Sequence, residues 1–303
     1  METIEIFTGQ NEIEFIQRFS TQESCYSYLS HYKWGNGFKC SHCGSTEEHF
    51  CSKAYHKRCK KCMRIFSVTS NTLFHNVKFD IVKAFYMVFK MSATTKSVSA
   101  EQLAKTVGVN RKTALAFQHK IRLAMRSSGR YPLEGQVEVD EAFIGQEEPN
   151  AIGRGAENKA QIVVAVEKNG GKGIKRVYAR TIENASATEL KQLFDKHIST
   201  QAQVLTDKWR GYSPLTELFN ITQEKSEPDK NFKVMHRCIQ QIKSWIRGIH
   251  HSVNKVYLQA YLDEFCYRIN RSIHKNTIFD NLIVRMIKHQ HIAVKQIKFA
   301  YSI

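Results

Sequence analysis

The chain has 303 residues and a mass of 35.0 kDa, enough for two or three domains with cores of their own. Hydrophobic residues make up 42%, Gly and Pro number only 15 and 4, and no run approaches the roughly 20 apolar residues of a membrane span, which sets aside disordered, fibrous and membrane-spanning classes. Lys and Arg total 45 against 28 Asp and Glu, a formal charge of +17; that suits a polyanion such as nucleic acid but serves solubility equally well, so motifs must decide.

The first residues, METIEIFTGQNEIEF, are acidic and lack a basic segment followed by an apolar run, so the expectation is a cytoplasmic protein without a signal peptide. Eight cysteines follow along the chain. Four form two knuckles, Cys40-Ser-His-Cys43 and Cys59-Lys-Lys-Cys62, with fifteen residues between them. Two residues between cysteines let both sulfurs reach one ion, and the intervening length suffices for a hairpin that brings the knuckles face to face, as in a structural Zn²⁺ site. Lys39, Lys57, Arg58, Lys60 and Lys61 lie around them and favour thiolates. A pair of disulfides is the weaker reading for a reducing compartment. Cys25, Cys51, Cys238 and Cys266 read as small buried hydrophobes.

Residues 79–91 are strongly apolar at helical spacing. Ser99-Ala-Glu-Gln102 then fits a capping box, Gly108 ends the helix it starts, and Asn110 caps another running to about Met125. Helix, Gly-containing turn and helix is the pattern of a helix-turn-helix; Arg111, Lys112, Gln118, His119, Lys120, Arg122 and Arg126 on the second helix suit phosphates and base edges. An ordinary helical hairpin with a wet basic face fits this segment equally well.

Residues 136–145, QVEVDEAFIG, alternate like a strand, with Val137, Val139 and Phe143 on one side and Glu138, Asp140, Ala142 and Ile144 on the other. An acid on such a mixed face either has a partner or metal, or is solvated on an exposed sheet. Strands follow at 161–166 and 176–179. Ser186-Ala-Thr-Glu189 caps an amphipathic helix, and a short strand over 202–207 ends in Asp207, where ligand sites collect in α/β sheets. Residues 231–236 form a short strand or turn into a further helix, on which His236, Gln240, Lys243 and Arg247 make a stripe opposite an apolar one of Met235, Ile239, Ile242 and Ile246. Strand with Asp, strands, helix, strand ending in Asp, helix is the order of a ribonuclease-H-like domain, in which two divalent cations between carboxylates activate the attacking oxygen and stabilise the leaving oxygen of a phosphodiester. Oxygen ligands suit Mg²⁺ or Mn²⁺. The tail, 279–303, reads as a packing helix or as part of a DNA surface, and His289 and His291 as surface residues.

FKCSHCG, KRCKKCMRIFSVTSNTLFH, VNRKTALAFQHKIRLAM, VEVDEAFIG, VLTDKWRGY and YLQAYLDEFCYRINR, in this order, resemble bacterial insertion-sequence transposases of the ISXO-like group, over about Cys25 to Val284. The resemblance implies an α/β chain with a ribonuclease-H-like, DDE-type catalytic domain behind a zinc ribbon and a helical segment. The implied division is 1–76 for an N-terminal helix and ribbon, 77–130 for DNA-binding helices, 131–275 for catalysis and 276–303 for a helical tail. Asp140 and Asp207 match the first two metal-binding carboxylates. Counting back from residues 248–251, similar to the family's G-x-x-H segment, places the third ligand on His236, where many relatives carry Glu or Asn; Lys243, seven residues on, matches the family's basic position.

Imidazole suits Mn²⁺ or softer ions better than Mg²⁺ and adds no negative charge, so Glu141 is a candidate helper. Asp263 and Glu264 are alternative acids that more readily cap a helix or pair with Arg268 and Arg271. Trp209 and Tyr212 either stack on a splayed base or pack the turn. Arg111, Lys112, Lys120, Arg122, Lys243 and Arg247 are the expected DNA contacts. The implied partners are the duplex DNA of terminal inverted repeats and target, and a homodimer or larger assembly; the implied location is a bacterial nucleoid. The competing readings are a non-catalytic DNA-binding regulator or domesticated transposase, and a zinc-ribbon RNA-processing nuclease.

Overall fold

The computed structural model describes residues 5–9, 11–94, 96–145, 159–170, 173–227, 230–249 and 253–301. The chain forms two compact units, Met1–Met125 with Ile273–Tyr301, and Arg126–Ser272. Among the described residues, no helix is long and apolar enough to cross a membrane.

In the first unit, α1 (Glu12–Arg18) and α2 (Gln22–Trp34) start where Asn11 and Thr21 accept hydrogen bonds from the backbone N–H groups of Ile13 and Ser24. A three-stranded antiparallel sheet follows, β1 (Glu48–His49), β2 (His56–Cys59) and β3 (Ile65–Ser67). Asp80 caps α3 (Ile81–Ala93). Ser99 caps α4 (Ala100–Val107), which stops at Gly108 with φ 63°, a left-handed C-cap that glycine adopts without steric cost. The side chain of Asn110 accepts from the Lys112 N–H at 2.8 Å and starts α5 (Arg111–Met125).

The core of this unit is aromatic. Phe15 stacks on Phe89 at 4.2 Å, and Phe279, from the far end of the chain, makes ring contacts with Phe7, Phe15, Phe19, Phe85 and Phe89. That ring packing explains why the tail joins this unit. Tyr28 and Tyr32 both donate their hydroxyls to Asp280, and the Leu73 N–H donates to the Met286 carbonyl at 3.0 Å.

The second unit is built on one five-stranded sheet: β4 (Gln136–Ile144), β5 (Ala160–Lys168), β6 (Ile174–Ile182), β7 (Gln203–Thr206) and β8 (Ile221–Gln223), in spatial order β6-β5-β4-β7-β8. The first three strands are antiparallel neighbours, whereas β7 and β8 run parallel to β4. Between β6 and β7 lies α6 (Ala187–His197), capped by Ser186. After β8 come α7 (Lys233–Ile249) and α8 (Lys255–Asn270); the first unit then receives α9 (Ile278–Lys288) and α10 (Val294–Ala300).

Strand alternation sorts the core into two layers. Val137, Val139, Val163 and Ala165 pack with Leu190, Leu193 and Phe194 of α6. Ala142, Ile144, Ile162, Val164 and Val166 pack with Ile239 and Ile242 of α7 and Leu262 of α8. The free edge at β6 is covered by two amides of α8: Gln259 accepts from the Thr181 N–H and donates to the Ala179 carbonyl, and Asn270 does the same for Val177. Side-chain amides thus occupy the backbone groups that would template another strand. Three antiparallel strands, a crossover helix, two parallel strands and helices on both faces make the ribonuclease-H-like architecture that the motif order implied.

Several local expectations change. Lys120 and Arg122 are buried, 5% and 0% exposed, and the Lys120 ammonium donates to the His75 carbonyl at 3.0 Å, so in this fold neither lies on a wet basic face. The tail packs on the same helix: Tyr301 donates its hydroxyl to the His119 carbonyl, and Arg285 of α9 donates to the Ala124 carbonyl at the end of α5. Arg111 and Lys112, at the helix start, are exposed. Cys51 is only half-buried, while Cys25, Cys238 and Cys266 are buried as read from the sequence. His291 packs edge-on against His75 at 4.5 Å and is half-buried rather than a surface residue. Residues 231–236 form a turn and the first helical turn, with no strand. Of the 248–251 segment, residues 250 and 251 fall outside the described residues.

Candidate active site and metal centre

The four knuckle cysteines converge. Their sulfurs all lie within 4.8 Å of one another, and among the described residues this is the one such cluster of three or more metal-ligating side chains. Cys40 Sγ is 3.7 Å from Cys62 Sγ, and Cys43 Sγ is 3.5 Å from Cys59 Sγ. Four sulfurs at about 2.3 Å from a central Zn²⁺ would stand about 3.8 Å apart, so the tetrahedron is nearly preformed.

The two knuckles are built alike. The Cys43 N–H donates to Cys40 Sγ and the Cys62 N–H to Cys59 Sγ, at 3.4 and 3.5 Å. Each chain then turns back through a left-handed residue, Gly44 at φ 74° and Met63 at φ 58°, whose N–H groups donate to the Cys40 and Cys59 carbonyls. The backbone therefore holds both pairs of sulfurs toward one point, as zinc coordination requires. Lys57, one of the cations around the knuckles, pairs with Glu48 at 2.6 Å.

In the second unit Asp140, Asp207 and His236 lie near one another without closing into a cluster of that kind. β4 and β7 are parallel neighbours with Val139 opposite Thr206, so the next residues, Asp140 and Asp207, emerge side by side toward the carboxyl ends of adjacent strands. Asp140 lies on the sheet face that carries α7. His236, in the first turn of that helix, brings Nε2 to 3.9 Å from Asp140 Oδ2. Lys243, two turns on, is half-buried on the same side and acts electrostatically on Asp140; Gln240 and Arg247 are exposed. The Asp207 side chain accepts from the Trp209 N–H at 3.0 Å, and Gln223 of β8 donates to the carbonyls of Asp207 and Trp209, which fixes the segment after β7.

Electrostatics mark Asp140 out. Burial pushes its carboxyl up from an ordinary 3.8 to about 6, with the nearby Asp207 charge acting in the same direction; the Glu141 N–H at 2.8 Å and Lys243 pull the other way. Two like charges held close, one in a half-dry setting, store repulsion that a cation relieves. Two donors on one ion at about 2.1 Å can stand at most about 4.2 Å apart, and the Asp140–His236 separation falls inside that span. Two carboxylates and an imidazole suit a divalent ion.

The structure also places the remaining candidates. Tyr212 is fully buried among the residues packed on α6, which decides for packing over base stacking. Burial first, and the negative charges of Glu141, Asp140 and Asp207 after it, hold its hydroxyl protonated. Trp209 is half-buried and donates its indole N–H to the Ala185 carbonyl at 2.7 Å. Glu264 is wholly buried and paired with Arg268 at 3.0 Å; Asp263 lies 4.0 Å from Arg126. Neither acid replaces the pair on the strands. Glu138, which the sequence sets on the same face as Asp140 without a role, is 4% exposed, accepts from the Met235 N–H at 3.0 Å and pairs with Lys168 at 3.2 Å. An acid alternating with two buried valines was the available signal.

Comparisons with known proteins agree with this layout. Residues 132–270 match the ISXO2-like transposase domain, and residues 20–64 match the transposase zinc-ribbon domain. No curated protein matches the chain. Among solved structures, similarity is loose. The catalytic core domain of BIV integrase is 18% identical, covering 43% of this chain and 81% of that one, with a TM-score of 0.31. A simian T-cell lymphotropic virus intasome in complex with PP2A regulatory subunit B56 gamma is 12% identical (61% and 65% covered, TM-score 0.29). The Mos1 strand transfer complex is 11% identical (59% and 74% covered, TM-score 0.23). Overlaps this loose add nothing to what the strand order already establishes. The chain therefore carries, in the expected order, a transposase zinc ribbon and an ISXO2-like transposase domain.

Proposed function

We propose that this chain is an active DNA transposase that binds the terminal inverted repeats of its element, cuts them in a metal-dependent reaction and joins the freed ends to target DNA. The observation that carries the reading is that Asp140 on β4 and Asp207 just past the end of the parallel β7 follow the paired Val139 and Thr206, with His236 3.9 Å from Asp140. Asp140, Asp207 and His236 are the proposed ligands of two Mg²⁺ or Mn²⁺ ions, with Glu141 as a candidate helper. When bound, such ions lower the pKa of an attacking water and stabilise the leaving oxygen of a phosphodiester.

The chain's own residues supply the rest. Asp140 and Asp207 provide fixed negative charge, held in place by the Glu141 and Trp209 N–H groups. Half-buried Lys243 is the proposed phosphate contact near the cut, with exposed Arg247 as its neighbour on the same helix. Residues 1–76 and 77–130 are assigned to end binding, with Zn²⁺ on Cys40, Cys43, Cys59 and Cys62 and with Arg111 and Lys112 as phosphate contacts. Residues 131–275 are assigned to catalysis, and 276–303 to supporting the N-terminal helices. Joining needs two DNA ends at once, so the working form is a dimer or larger, acting on the chromosome in the cytoplasm.

The test is nicking and joining of duplex DNA carrying the element's ends, in Mg²⁺ and in Mn²⁺. Asp140→Ala and Asp207→Ala abolish cutting while DNA binding persists. Normal cutting by either variant overturns the site assignment. Binding without any metal-dependent cutting by the wild type supports a non-catalytic regulator instead, and preferential cutting of RNA supports the nuclease reading.

A further inference from the structure

A helix start needs acceptors for its first N–H groups, and the first turn of α7 offers no acid of its own. The residue ahead of it, Phe232, sits at φ 54° and carries a hydrocarbon side chain. The acceptor comes from elsewhere in the chain: Glu138 Oε2 takes the Met235 N–H at 3.0 Å across 97 residues of sequence. The same carboxylate is almost wholly buried and is neutralised by Lys168, whose ammonium stands 3.2 Å from Oε1. A carboxylate at a helix N-terminus is also favoured by the helix dipole.

The place of this bond matters. Glu138 lies on β4 two residues before Asp140, on the same sheet face. Met235 immediately precedes His236, whose own N–H bonds back to the Phe232 carbonyl at 2.8 Å. One hydrogen bond therefore joins the strand that carries the aspartate to the helical turn that carries the imidazole. We infer that Glu138 is a positioning residue for the proposed catalytic site: it caps α7 from the sheet and so sets the separation of His236 from Asp140. This deepens the transposase reading above and rests on it. A displacement near 1 Å at a reacting centre costs on the order of 10²-fold in rate, so the cap has leverage on turnover without touching DNA.

The experiment compares wild type, Glu138→Gln and Glu138→Leu, with Asp140→Asn as the inactive reference. Amide hydrogen exchange is read without added Mg²⁺ or Mn²⁺, and nicking kinetics are read with Mn²⁺. Glutamine keeps an oxygen for the Met235 N–H. It retains nicking within a few-fold of wild type, with slow exchange in the first turn of α7. Leucine removes the acceptor. It speeds exchange at Met235 and His236 while leaving the middle of α7 protected, and lowers kcat by ten- to a hundredfold with KM for the DNA changed less than twofold.

A folded Glu138→Leu variant that nicks like wild type overturns the inference, as does a Gln variant that falls as far as the Leu one. If Glu138→Leu fails to fold, Glu138→Asp decides, since it keeps the charge and withdraws it by one methylene; wild-type nicking by this variant overturns the inference. If wild type itself does not nick, or Asp140→Asn nicks equally well, the transposase reading fails and takes this inference with it, leaving the exchange data to report a structural cap.

Discussion

Replacing Asp140 by Asn should make the protein more stable, although it removes a proposed catalytic group. The Asp140 carboxyl stands at about 6 in the fold against an ordinary 3.8, chiefly because it is buried and secondarily because Asp207 is near. A carboxyl raised in this way costs the folded state its ionisation energy. The cost is fully present above pH 6, shrinks as pH falls through the folded value, and vanishes below the unfolded one. At pH 8 the shift of about two units corresponds to ~3 kcal/mol, and at pH 4 to ~0.5 kcal/mol. Asparagine carries no charge and keeps an oxygen for the Glu141 N–H, so it should recover most of that difference. For a unit the size of Arg126–Ser272, ~3 kcal/mol corresponds to a rise in Tm of roughly 6–12 °C.

The assay is thermal unfolding at pH 8, 6 and 4 in metal-depleted buffer that leaves the ribbon's zinc in place. The gain of Asp140→Asn is greatest at pH 8 and nearly gone at pH 4. Added Mn²⁺ raises the wild-type Tm and leaves that of the variant unchanged. Asp207→Asn gives a smaller gain, and the double variant gives less than the sum because the two charges repel each other. A variant no more stable than wild type at pH 8, or a gain that does not shrink in acid, refutes the claim that Asp140 is held ionised at a cost.

Three other outcomes are expected. His197 is buried beside Tyr178, its ring stacked at 4.2 Å, and burial lowers its pKa from 6.5 to about 3; its neutral form supports the fold above pH 6.5, and about 2 kcal/mol is lost by pH 5. Urea titrations of His197→Phe at pH 7 and pH 5 should therefore differ by ~2 kcal/mol less than those of wild type, and an unchanged pH dependence contradicts the assignment. Metal analysis should find one zinc per chain, lost in Cys40→Ser or Cys59→Ser together with the first unit's melting transition, while the second unit's transition stays within a few degrees. Lys112→Ala should weaken binding to any duplex and reduce the salt slope by about 1, whereas Arg122→Ala should lower Tm and leave the slope unchanged; the reverse pattern contradicts the burial of α5.

The sequence made some of this legible because the relevant geometry is local. Two residues between cysteines suffice to predict the sulfur cluster, since a single turn carries both sulfurs and the two knuckles repeat the same hydrogen bonds. Period-two alternation in β4 places Val139 and Asp140 on opposite faces, and the order of strands foretells that β7 will lie beside β4. Caps at Ser99, Asn110 and Ser186 fall where side-chain chemistry puts them.

What the sequence leaves open or misplaces depends on non-local contacts. Lys120 and Arg122 belong to a helix that looks half-wet in isolation; in the fold the His75 carbonyl takes the Lys120 ammonium, and α9 and α10 return to bond the Ala124 and His119 carbonyls. Tyr212 follows Asp207 like a loop residue, yet the chain folds back and buries it against Phe194 of α6. Glu138 was invisible as a cap because its partner lies 97 residues away.

The central claim is that Asp140, Asp207 and His236 hold the divalent cations of the site between them, and pulsed electron paramagnetic resonance of Mn²⁺ added to the zinc-loaded protein tests it most directly. The account predicts a tightly bound Mn²⁺ with a directly coordinated imidazole nitrogen. That nitrogen signal should disappear in His236→Gln, and the bound ion should disappear in Asp140→Asn and Asp207→Asn. Bound Mn²⁺ whose spectrum and affinity are the same in all three variants would contradict it.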